Sequence, residues 1–216
     1  CKTKTFGLLK KADYTAKNVD LYNEDGVVGV RFDMGRPDAE PFDVTVDIPG
    51  KFNVYNALAA GAVCLEMGVS TGVIQQAMKK VAVRGRVELV PVSKKFSVML
   101  DYAHNGMSLR SLLTTLREYQ PKRLICLFGC GGNRAKDRRY DMGEVSSEYA
   151  DLTIVTSDNP RFEEPEAIID DILTGVKKAD GAYVTVPDRK EAIRYAILNA
   201  QDEDVIVLAG KGHEDY

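Results

Sequence analysis

The chain has 216 residues, 44% hydrophobic and 28% charged, with a formal net charge of −3. This is ordinary globular composition for one large or two small domains. It excludes a basic field drawing nucleic acid or a membrane surface, and no apolar run approaches the ~20 residues of a membrane span.

Residues 1–50 read as β-rich. Segments 27–32 and 42–48 alternate or run apolar at strand spacing, with turn chemistry at Gly35-Arg36-Pro37-Asp38 between them. Segment 53–68 reads as a helix: Val54, Leu58, Ala62 and Leu65 share a face, and Gly68 suits its C-terminus. Ser70 is expected to cap a second helix over 71–80. The pattern changes near Arg84-Gly85-Arg86, which marks the expected domain boundary. Beyond it, strands at 96–100, 123–128, 152–156, 182–186 and 205–208 alternate with helices at 108–119, 138–149, 165–176 and 189–200. Near-continuous apolar strands alternating with helices predict a doubly wound, Rossmann-like α/β unit: a parallel sheet covered on both faces.

Of the four cysteines, Cys64 and Cys126 lie in apolar runs and are expected in the core. Cys126 and Cys130 lack the second pair and nearby His of a zinc site, so no metal site is expected and a reduced, cytoplasmic protein is the better reading. No basic-then-apolar leader opens the chain.

The polar loops fall into register at the strand ends. Asp101-Tyr102-Ala103-His104 follows the first strand of the second part, Gly129-Cys130-Gly131-Gly132-Asn133-Arg134 the second, Asp158-Asn159-Pro160-Arg161 the third, and Gly210-Lys211-Gly212-His213-Glu214 the last. Open α/β sheets bind ligands at this edge. The glycine-rich loop matches neither the dinucleotide fingerprint nor a P-loop; it is either a tight turn or, through Arg134, an anion site. Arg138 and Arg139 read as a solvated helix start. Asp101 and His104 could form an acid–base pair. Gly210 and Gly212 permit close backbone approach, and Lys211 and Glu214 could meet a carboxylate and an amine. Asn53 and Asn56 share a helix face, as ligand contacts or as a cap and surface residue. Arg161 beside Asp158 and Asn159 suits a small zwitterion, because a guanidinium grips a carboxylate while Asp and Asn accept from an ammonium. No nucleophile–base arrangement is recognisable.

Gly50-Lys51-Phe52-Asn53-Val54-Tyr55-Asn56, Arg84-Gly85-Arg86, Asp101-Tyr102-Ala103-His104, Asp158-Asn159-Pro160-Arg161 and Gly210-Lys211-Gly212-His213-Glu214 occur in this order, and together they resemble the Mur ligases of peptidoglycan synthesis. The resemblance covers the whole chain. It implies the end of an ATPase-like central domain over 1–86 and a Rossmann-like amino-acid-binding domain over 87–216. The UDP-sugar domain, the P-loop and the carbamylated lysine of that family have no counterpart here, so a fragment that is inactive alone is expected.

The family reaction is ATP-dependent amide formation with Mg²⁺, through an acyl phosphate and a tetrahedral intermediate. By resemblance, Asn53 and Asn56 would lie by adenine, Arg86 by the phosphates and Asp101 by the ribose. Arg134, Asp158, Asn159, Pro160, Arg161, Gly210 and Glu214 would contact the amino acid. Asp-Asn-Pro-Arg marks members adding meso-diaminopimelate to UDP-N-acetylmuramoyl-L-alanyl-D-glutamate, because its Arg can pair the second carboxylate that lysine lacks. A monomer free of nucleic acid and membrane is expected. A lysine-adding member, a folylpolyglutamate synthase relative and a non-catalytic binding module are the alternatives. One departure stands out: Asn105-Gly106-Met107 replaces the usual Thr-Pro-Asp, which bears on nucleotide contacts.

Overall fold

The computed structural model describes residues 3–8 and 11–212. The chain divides into two compact units, Cys1–Ala82 and Val83–Tyr216.

In the first unit, strands β1 (Phe6–Gly7), β2 (Tyr14–Glu24), β3 (Val27–Arg36) and β4 (Ala39–Val46) form a sheet in that order, parallel between β1 and β2 and otherwise antiparallel. Helices α1 (Phe52–Glu66) and α2 (Thr71–Lys79) follow. Val54, Leu58 and Ala62 of α1, with Ile74 and Met78 of α2, are buried. Helix α1 closes through Gly68 at φ +81, the left-handed position that glycine fills without strain. Ser70 stands at the N-cap of α2 in extended backbone, but its hydroxyl makes no cap bond, contrary to expectation.

The 11-residue strand β2 is absent from the sequence expectations. Asn18 lies at φ +51 and the β2–β3 register shifts between Lys17 and Asp20, so an irregularity interrupts the period-two alternation that identifies a strand.

The second unit contains β5 (Glu88–Val90), β6 (Ser97–Leu100), α3 (Gly106–Arg117), β7 (Arg123–Phe128), α4 (Asp137–Tyr149), β8 (Leu152–Val155), α5 (Pro165–Val176), β9 (Tyr183–Thr185), α6 (Arg189–Leu198) and β10 (Asp204–Leu208). The sheet order is β5-β6-β10-β7-β8-β9. All pairs are parallel except the unexpected three-residue edge strand β5. The fold is the Rossmann-like α/β class read from the sequence.

Right-handed crossovers moving one way, from β6 to β7 to β8 to β9, place α3, α4 and α5 on one face. The return from β9 to β10 runs the other way and places α6 on the opposite face. The packing agrees. Ile125, Leu127, Ile154 and Ile206 cluster with Ala192 and Ala196 of α6, while the Thr153 hydroxyl on the other face bonds Ser146 of α4 at 2.8 Å.

The two sheet ends differ. At the amino-terminal end Arg123 pairs bidentately with the fully buried Asp204, at 2.5 and 3.0 Å. At the carboxyl end, between β6 and β7, strand order reverses around β10, and the ligand-suited loops gather there.

Candidate functional site

Four loops build the carboxyl-end site. Asp101 N–H donates to Leu208 O and Gly210 N–H to Asp101 O, which joins the β6 and β10 turns. Asp101 is buried, and its carboxylate accepts from Ala103 N–H at 2.7 Å and Val87 N–H at 2.9 Å. Val87 has φ +46, an unusual conformation for a β-branched residue. Asp101 and His104 form no acid–base pair. Each binds backbone instead, with His104 Nδ1 2.9 Å from Tyr102 O.

The glycine-rich loop is shaped to receive its neighbour. A Cβ on Gly129 would stand 2.7 Å from Ser157 C, and one on Gly132 2.6 Å from Pro160 C. Gly132 N–H donates to Asn159 O at 2.8 Å, and Arg161 Nη1 donates to Gly132 O at 2.6 Å. The glycines therefore admit the Asp158–Arg161 loop. Asn159 Oδ1 accepts from Arg161 N–H, supporting that residue at φ +53.

Beneath these loops lies Arg139. It is only 1% exposed, so the expected solvated helix start is wrong at this position. Its guanidinium bonds Glu163 twice, at 2.7 and 2.8 Å, and Asp171 at 2.8 Å. Those acids lie more than twenty residues away, out of reach of local pattern reading. The Arg139 bonds, with help from Asn133 N–H, pull the Glu163 carboxyl from the ordinary 4.5 to about 2.

The loops enclose a pocket of about 270 Å³. Arg134, Asp158, Arg161 and Gly210 line it, with Tyr102, His104 and Arg138 beside them. Gly210 adopts φ +94, open to glycine. Asn159 and Pro160 shape the loop from behind through backbone contacts. Three guanidiniums facing one carboxylate suit a ligand that brings more than one carboxylate and at least one ammonium group. Of the other expected contacts, Arg86 stacks 5.2 Å over the Tyr102 ring. In the first unit, Asn53 donates to Pro49 O at 2.9 Å and accepts from Asn56 Nδ2 at 3.0 Å. His213 and Glu214 lie outside the described residues. Cys126 and Cys130 are buried, which pushes both thiols up to about 12.

The replacement at 105–107 is local. Asn105 caps α3 by accepting from Ser108 N–H at 2.9 Å, with Ser108 Oγ answering Asn105 N–H in a capping box. That starts α3 at Gly106, two residues before the expected 108.

Residues 85–212, more than half of the chain, match the model of the Mur ligase glutamate ligase domain. The chain belongs to the Mur ligase family. Residues 1–64 match the Mur ligase middle domain. Among curated Mur ligases, the chain is 44% identical over 215 residues to the UDP-N-acetylmuramoyl-L-alanyl-D-glutamate–2,6-diaminopimelate ligase of Caldanaerobacter subterraneus subsp. tengcongensis, covering all of this chain and 44% of that protein. It is 46% identical to ligase 1 of the same name from Clostridium acetobutylicum, covering 98% and 43%. A solved structure of a 2,6-diaminopimelate ligase of this name superposes with TM-score 0.77 at 32% identity, over 99% of this chain and 43% of that one. The folylpolyglutamate synthase from Thermotoga maritima shares the fold at TM-score 0.68 and 23% identity, over 90% and 43%. The chain thus spans less than half the length of the curated Mur ligases it matches. No helix among the described residues is long and apolar enough to cross a membrane.

Proposed function

We propose that this chain is the amino-acid-binding part of an ATP-dependent ligase that joins meso-diaminopimelate to UDP-N-acetylmuramoyl-L-alanyl-D-glutamate. The observation carrying this reading is Arg161, fixed on Gly132 O at the rim of a pocket that also holds Arg134 and Asp158. The names of the curated relatives support it. In this reading Arg161 and Arg134 grip the far carboxylate, which lysine lacks, and Asp158 accepts from an ammonium group. Asn159, Pro160 and Gly210 set the loops, Glu214 completes the contacts, and the free amine is left to attack the acceptor carboxyl.

Bound ATP would supply the phosphoryl group that activates that carboxyl. Arg86, exposed and stacked on Tyr102, fits a phosphate contact. Asn56 fits an adenine contact with its side-chain carbonyl oxygen, while Asn53 is occupied in orienting it. Asp101 fits ribose less directly, because both its oxygens already accept backbone N–H groups; in this reading it holds the β6 turn. Among the described residues no three His, Cys, Asp or Glu side chains gather as a metal cage. Residues 1–86 would serve as the end of the central domain and 87–216 as the amino-acid-binding domain. The complete ligase would act as a cytoplasmic monomer, without nucleic acid or membrane.

Calorimetric titration of the chain with meso-diaminopimelate and with L-lysine tests the reading. Diaminopimelate should bind in preference, and Arg161→Ala should weaken it about a hundredfold, as for loss of one partner of a desolvated charge pair. Tighter binding of lysine, or equal losses for both amino acids, would refute the specificity.

A further inference from the structure

Three buried side-chain atoms have no hydrogen-bond partner among the described residues: Arg139 Nε, in the clamp on Glu163 and Asp171, and two of opposite charge outside it, Asp158 Oδ1 and Arg189 Nη1. Arg189 opens α6, on the face opposite the helices that carry the pocket loops. Its Nη2 donates to Ala209 O at 3.0 Å, just before Gly210 in the pocket. Two residues earlier, Pro187 O accepts from Ser157 N–H at 3.0 Å and from the Thr156 hydroxyl at 3.2 Å, just before Asp158. The turn into α6 therefore meets the ends of both β8 and β10.

Burial works against the Arg189 charge, and Asp158 is the carboxylate whose field opposes that loss. Each partnerless atom is costly alone, and their opposite signs offset part of the cost. Nothing about the sheet core requires a cation here, since the α6 face is otherwise built from apolar side chains such as Ala192, Ala196 and Ile206.

We propose that Arg189 is a positioning residue for the pocket. One arm of its guanidinium fixes the Ala209–Gly210 turn, and its charge holds the Asp158 side chain. The loops after β8 and β10 thereby keep one spacing, and Asp158 stays aimed at an ammonium group. The ligand half of this role rests on the amino-acid reading above; the loop-holding half does not.

The test compares the chain with its Arg189→Met and Arg189→Lys variants by amide hydrogen exchange without ligand and by calorimetry with meso-diaminopimelate. Arg189→Met should speed exchange at Ser157 and Gly210 about tenfold and weaken binding about tenfold, as expected when a buried charged group loses its partner. Amides inside β7 and β10 should keep their rates. Arg189→Lys, retaining charge without the fork, should restore part of both effects. Unchanged exchange at Ser157 and Gly210, an equal rise throughout the sheet, or a lysine variant no better than methionine would overturn the proposal. Failure of the unmodified chain to bind diaminopimelate would count against the amino-acid reading, and the exchange rates would then decide Arg189 alone.

Discussion

Gly132→Ala should damage the pocket without adding or removing a charge. A methyl at 132 would stand 2.6 Å from Pro160 C, about 0.8 Å inside the 3.4 Å where ordinary contact begins, and closer still to the carbonyl oxygen. The obstacle is backbone, so the Asp158–Arg161 loop must retreat by roughly 1 Å. That retreat breaks the bonds from Gly132 N–H to Asn159 O and from Arg161 Nη1 to Gly132 O. Overpacking of this kind costs about 1–3 kcal/mol of stability, and a 1 Å misplacement of binding groups costs roughly a hundredfold. Urea unfolding reads the first effect and calorimetry with meso-diaminopimelate the second. Gly131→Ala is the control. Its methyl would stand 2.7 Å from Arg161 Nη1, a flexible side-chain end. Arg161 can swing away, so stability should change by less than about 0.5 kcal/mol while diaminopimelate affinity still falls. Wild-type behaviour in Gly132→Ala, or an equal stability loss in Gly131→Ala, would refute the loop-against-loop account.

Glu163 has its carboxyl lowered to about 2, chiefly by Arg139. Its stabilising effect is fully present above pH 4.5 and disappears as pH falls toward 2. Glu163→Gln should flatten that acid limb of the stability curve; an unchanged limb in urea titrations would count against the clamp. Asp204→Ala removes the buried partner of Arg123. Arg123 is 29% exposed, so its charge can relax into water and the loss should sit near the low end for such pairs, about 3 kcal/mol; a loss under 1 kcal/mol in urea would contradict it. Cys126 and Cys130, buried with thiols pushed up to about 12, should resist iodoacetamide at pH 7.5 until the chain is unfolded, and modification of either at native protection would contradict the packing.

The second unit was the more legible because its strands are buried on both faces. Leu124 to Phe128 and Val205 to Leu208 are unbroken apolar runs, and such runs need no partner information to be read. Strand β2 hid behind the Asn18 irregularity, and β5 is only three residues long. Ser70 shows that a favourable residue at a cap position need not make the cap bond. In the site, the glycines at 129, 131 and 132 were visible but their purpose was not. A glycine-rich loop looks the same whether it approaches a phosphate or another backbone. The roles of Arg139 and Arg189 are illegible in the sequence for one reason. Their partners, Glu163 and Asp171 for the first and Ala209 O for the second, are distant in sequence, and long-range pairing leaves no local pattern.

The place of β10 bears on how this unit comes into being. Strand β10, the last among the described residues, is inserted third in the sheet, pairing Val205 with Ser97 on one side and with Leu124 on the other. Until it is made, β6 and β7 have no shared neighbour, and the sheet exists as two pieces with raw apolar edges. A nascent chain emerging in order must hold those edges apart while more than a hundred residues follow Ser97, a topology that folds slowly and exposes itself to aggregation. The same late strand delivers Ala209 and Gly210. The joining of β6 to β7 and the closing of the ligand pocket are thus one event, and a chain made only as far as α6 should have neither.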